Sequence, residues 1–120
     1  VTVLGLAFKP GTDDMRESPA IPVIRHLQAR GASVTAFDPV ATTVARKLLA
    51  ENPPRFAESL SEAVSNADVI LLVTRWPQFA SLPRMLRELN SNATIIDGRR
   101  MIDPSAVARY VGIGLKGERS

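Results

Sequence analysis

Short apolar runs recur along the chain at 1–6, 33–37, 68–73 and 94–96, and each reads as a buried β-strand. Helix-like stretches fill the gaps between them at 19–30, 42–51, 59–66 and 82–90. In the first of these, Ile21, Ile24 and Leu27 fall on one face. A weaker strand is expected at 55–57, squeezed between Pro53-Pro54 and a helix start at Ser59. A last edge strand is expected at 112–115, after a short helix at 104–110 and before a frayed tail.

Punctuation supports this reading. Ser18 resembles an N-cap with Pro19 at the first helical position, although Pro22 blurs the start. Gly31 follows the last periodic residues and fits a left-handed cap that releases the chain into the second strand. Strands alternating with helices through short connections imply a parallel sheet, because right-handed crossovers place helices above and below it. The predicted architecture is therefore a single α/β domain over 1–120: a doubly wound, mostly parallel, Rossmann-like sheet in three α/β/α layers.

Composition narrows the class. With 45% hydrophobic and 22% charged residues, the chain matches a folded globular domain rather than a disordered one. No apolar run approaches the roughly 20 residues that a membrane-spanning helix needs, so no membrane contact is expected. A start on a strand without Met leads us to expect an excised piece of a longer protein. The absence of cysteine rules out disulfides, Cys-ligated zinc and a thiol nucleophile within these residues, and it permits a cytoplasmic origin. The net charge of +3 does not point to nucleic acid; an anionic small molecule explains basic loop residues equally well.

Chemistry in a doubly wound sheet belongs beyond the carboxyl ends of the strands, near the point where strand order reverses. The segments that qualify are 7–18, the turn after Phe37, 74–81 and 98–103. With strand order 3-2-1-4-5, the first and fifth strands end on either side of the fourth, about 10 Å apart. Lys9 follows the first strand and Arg99-Arg100 the fifth, so these cations could clamp one diphosphate. The residues alone leave a second reading open, in which all three are solvated surface side chains. Gly98 would allow close backbone approach to a ligand.

Other residues carry less. The run Gly5-Leu6-Ala7-Phe8-Lys9-Pro10 lacks the second glycine of the dinucleotide fingerprint, so NAD is not expected here in the usual way. Asp38 stands where NAD domains hold a ribose, yet without the glycine loop an Asp-Pro turn is the better account. Thr12, Asp13 and Asp14 read as an Asp-rich turn rather than a metal site. Arg16 and Glu17 could form a buried pair or meet a ligand. His26 is assigned to a surface or interhelical position, and Trp76 with Phe79 to packing.

The run from Gly5 to Pro19, Gly-Leu-Ala-Phe-Lys-Pro-Gly-Thr-Asp-Asp-Met-Arg-Glu-Ser-Pro, closely resembles the opening of the last domain of the UDP-glucose and GDP-mannose dehydrogenases. Phe37-Asp38-Pro39, Ala67-Asp68, Thr74-Arg75-Trp76 and Ile96-Asp97-Gly98-Arg99-Arg100 follow in the order that family shows. Arg75 and Gly11 depart from its commonest pattern, in positions that do not bear on the clamp.

The resemblance implies the UDP-sugar-binding, C-terminal domain of an NAD-dependent enzyme that oxidises a sugar C6 alcohol to a carboxylate in two hydride transfers. A cysteine in a preceding domain would hold the intermediate as a thioester, so no catalytic residue and no metal are expected here. By the same similarity Phe8, Lys9 and Arg99 would meet the nucleotide sugar, and Arg16 would reach toward the NAD pyrophosphate. The implied partners are an NAD-binding domain of the same chain and, through a central helix, a second copy in a homodimer. The wording of 12–18 is closer to the UDP-glucose members than to those acting on N-acetylated sugars; GDP-mannose remains an alternative, as does a non-catalytic nucleotide-binding module.

Overall fold

A computed structural model describes residues 1–6, 18–74, 77–98, 102–107 and 109–112. Six strands are present among them: β1 (Thr2–Leu4), β2 (Thr35–Phe37), β3 (Arg55–Phe56), β4 (Val69–Leu72), β5 (Thr94–Asp97) and β6 (Arg109–Gly112). They form one sheet in the order β3-β2-β1-β4-β5-β6, and every pairing is parallel. The expected order is present, extended by β6 on the β5 side.

Four α-helices connect the strands: α1 (Ala20–Ala29), α2 (Thr42–Leu48), α3 (Leu60–Val64) and α4 (Leu82–Glu88), the last preceded by a 3-10 turn at Pro77–Ser81. They sort onto two faces because alternate strand residues point to opposite sides. On one face Ala20 and Ile24 from α1, Ala45 from α2 and Ala41 just before it pack over Val3 and Ala36. On the other, Leu60, Val64, Leu82 and Leu86 from α3 and α4 pack over Leu4, Ile70, Leu72 and Ile95. The result is the expected three-layer α/β/α sandwich.

Local chemistry sets the element ends. Pro22 lies in the first turn of α1, where its missing N–H has no intrahelical partner to lose. At the other end Gly31 adopts φ +87°, its N–H bonds the Gln28 carbonyl, and Ala32 N–H reaches Leu27. This is the left-handed cap foreseen from the sequence. Asn90 ends α4 in the same way with φ 54°, so the helix stops at Glu88, two residues short of the expected 82–90. Ser59 Oγ accepts from Glu62 N at 3.1 Å and starts α3.

The end of the chain departs from expectation. In place of a helix over 104–110, a single 3-10 turn spans Pro104–Ala106, and β6 begins at Arg109 rather than 112. The cause is local: Asp103 Oδ1 accepts from both the Ser105 amide and its hydroxyl, closing one tight turn. Those two bonds, the backbone one first, also hold the Asp103 carboxyl below its ordinary pKa. Tyr110 then pairs with Ile95 across the sheet and turns its side chain toward the α4 face.

Candidate functional site

The ends of β1, β4 and β5 lie side by side at the carboxyl edge of the sheet, with β4 in the middle. Their approach is tight. Gly5, just past β1, has φ +94°, and a Cβ placed on it would lie 2.5 Å from Thr74 Cβ and 2.6 Å from Thr74 N. Only glycine fits there, on grounds of both dihedral angle and space. Gly98 N–H reaches back to the Leu72 carbonyl at 3.2 Å, tying the end of β5 to β4.

Buried polar side chains engage the described residues on either side of 7–17 and 99–101. The Leu6 amide donates to Asp38 Oδ2 at 2.7 Å, and the Leu6 carbonyl accepts from Ser18 Oγ at 2.6 Å. Ser18 Oγ in turn accepts from the Ala20 amide at 3.1 Å, so one hydroxyl joins the end of β1 to the start of α1. The helix thus begins one residue later than expected, and Ser18 caps it by way of Ala20. Because Leu6 and Ser18 flank 7–17, this bond closes the stem of that segment.

Asp38 is 3% exposed, and its other oxygen accepts from the Val40 and Ala41 amides at 2.8 Å each. That is the Asp-Pro turn role read from the sequence, with the link to Leu6 added. It also bears on NAD. The carboxylate that would meet an adenosine ribose is buried and engaged by three backbone amides, and the glycine fingerprint is missing. The residues of this chain therefore do not fit a dinucleotide site of the usual kind.

The second stem is closed by Asp97, fully buried at the end of β5. Its Oδ2 accepts from the Ile102 amide at 2.8 Å and from the Tyr110 hydroxyl at 3.1 Å. Beside this edge, on the α1 side, an apolar hollow of about 220 Å³ is lined by Pro19, Val23, Leu71, Val73, Ile96 and Gly98.

Phe8, Lys9 and Arg16, like Arg99 and Arg100, lie outside the described residues, as do Thr12, Asp13, Asp14, Glu17 and Trp76. The described stems bracket all of these except Trp76: 7–17 lies between Leu6 and Ser18, and 99–101 between Gly98 and Ile102. Phe79 is fully buried against the α4 face, in keeping with packing, and His26 is exposed in the last turn of α1. Sequence reasoning singled out Ser18 as a helix cap but not for its bond to Leu6, and it did not single out Asp97 or Tyr110 for these contacts. The available signal was a polar residue placed directly beside a buried strand or helix start.

Residues 2–104 match the model of the UDP-glucose/GDP-mannose dehydrogenase family, UDP binding domain. The chain belongs to this family. The UDP-glucose 6-dehydrogenase AglM of Haloferax volcanii is 44% identical over 102 residues, covering 85% of this chain and 23% of that protein. Among solved structures, a UDP-glucose dehydrogenase from the hyperthermophilic archaeon Pyrobaculum islandicum superposes with TM-score 0.80 at 34% identity, over 92% of this chain and 24% of the other. A UDP-D-ManNAc dehydrogenase from Pyrococcus horikoshii gives TM-score 0.70 at 31% identity, over 94% and 25%. The chain thus spans about a quarter of the length of these family members. The family match at 2–104 takes in β1 to β5 and α1 to α4.

Proposed function

We propose that this domain binds the uridine diphosphate of a UDP-sugar at the carboxyl edge of β1, β4 and β5. The observation that carries the reading is the adjacency of two stems on either side of β4, one leading to Phe8 and Lys9 and the other to Arg99. Side chains from both segments can reach one pyrophosphate across about 10 Å, the span of two strand spacings. Charge-assisted hydrogen bonds from Lys9 and Arg99 to its oxygens would supply affinity, and Phe8 would pack on the nucleotide sugar.

In this reading the domain belongs to a cytoplasmic, NAD-dependent oxidoreductase that converts UDP-glucose to UDP-glucuronate. Two hydrides pass to two NAD molecules as the C6 alcohol becomes a carboxylate, and water supplies the second oxygen when it hydrolyses the thioester intermediate. The thiol and most of the NAD site would come from the rest of the enzyme, which would act as a homodimer, with Arg16 reaching from this domain toward the NAD pyrophosphate. The part played by this chain is to bind and orient, so alone it would be inactive.

Calorimetric titration with UDP, UDP-glucose, GDP and NAD tests the proposal. UDP and UDP-glucose should bind, GDP more weakly, and NAD alone should give no response. Lys9→Ala and Arg99→Ala should each weaken UDP binding by about tenfold, with a smaller loss at high salt. Unchanged affinity in both variants would reject the clamp, and silence toward every nucleotide would favour a purely structural domain.

A further inference from the structure

Asp97 is a buried carboxylate at the ligand edge of the sheet, yet it points into the α4 face and away from solvent. A charge in such a place is costly unless hydrogen bonds engage it. Its Oδ2 receives the Ile102 amide, five residues along the chain, and the Tyr110 hydroxyl from the edge strand. The first contact brings Ile102 back to the end of β5, where its side chain enters the core at 5% exposure. Asp97 pairs with Gly112 across the sheet, so Tyr110 sits one pleat back on the same face, a diagonal an aromatic side chain can span.

We infer that Asp97 and Tyr110 are positioning residues for diphosphate binding: they hold the described ends, Gly98 and Ile102, of the segment that includes Arg99. The inference rests on the reading that Arg99 meets the diphosphate. Its physical content is preorganisation. A guanidinium on a segment whose ends are anchored loses less freedom when an anion arrives than one whose ends are free, so the anchors contribute to affinity without touching ligand. β6 thereby has a task beyond completing the sheet, since it carries a donor to Asp97.

The test is a double-mutant cycle on UDP affinity, with unfolding measured alongside. Tyr110→Phe keeps the ring and removes only the hydroxyl, whereas a change at the fully buried Asp97 threatens folding. Tyr110→Phe should weaken UDP binding about fivefold while the chain stays folded. In an Arg99→Ala background the same change should have no further effect, because the anchor acts through that arginine. Amide exchange at Ile102 should accelerate in Tyr110→Phe. An unaltered affinity in Tyr110→Phe, or an equal loss with and without Arg99, would overturn the inference while leaving the clamp intact. If Arg99→Ala itself leaves UDP affinity unchanged, Arg99 has no part in the clamp and the inference fails with it, a result distinguishable from the first.

Discussion

Gly5 and Thr74 press together at the ends of β1 and β4 so closely that a Cβ on Gly5 would lie 2.5 Å from that of Thr74. The contact sets the spacing of the edge from which the first loop departs. Gly5 also donates its amide to the Phe37 carbonyl at 2.9 Å, so neither its backbone nor Thr74 can shift without loosening the sheet. Gly5→Ala should therefore destabilise the fold by at least about 2 kcal/mol, from the positive φ and the overlap together. Urea unfolding measures this, and a loss below about 0.5 kcal/mol would show that the edge relaxes more readily than its packing indicates.

Ser18 contributes a different kind of closure. Its hydroxyl donates to Leu6 O and accepts from Ala20 N, and it is 5% exposed. Ser18→Ala leaves both backbone groups short of a buried partner and should cost about 1–3 kcal/mol. Exchange of the Ala20 amide should rise by more than exchange in α4. Equal changes in both helices would mean that the hydroxyl acts on global stability rather than on this stem.

Asn90 offers a control at the end of α4, away from the carboxyl ends of β1, β4 and β5. Its φ of 54° lets its N–H bond Arg87 O and the next amide bond Leu86 O, closing α4 as Gly31 closes α1. Asn90→Ala should lower stability by about 1 kcal/mol, whereas Asn90→Gly should leave it within about 0.5 kcal/mol. Neither should alter UDP affinity, and thermal unfolding with parallel titrations checks both halves.

Much of the architecture was legible in the chain because its signals are local. Apolar runs of strand length, helical spacing at Ile21, Ile24 and Leu27, and Gly31 after the last helical turn each depend on residues a few positions apart. The layered sheet follows from their alternation. The edge strand was misplaced because one tight turn at Asp103 competes with helix over 104–110, and short polar side chains near proline support either. The run from Gly5 to Pro19 was recognisable by its wording, which gave the family without any geometry.

Folding itself decided the partners. Leu6 meets Asp38 across 32 positions, Asp97 meets Tyr110 across 13, and Gly5 meets Thr74 from the neighbouring strand. No periodicity encodes such pairs, since each arises only when parallel strands align in register and bring distant side chains to one edge. Strand identity could be read from neighbouring residues, but the grip on each loop stem depends on the register between strands.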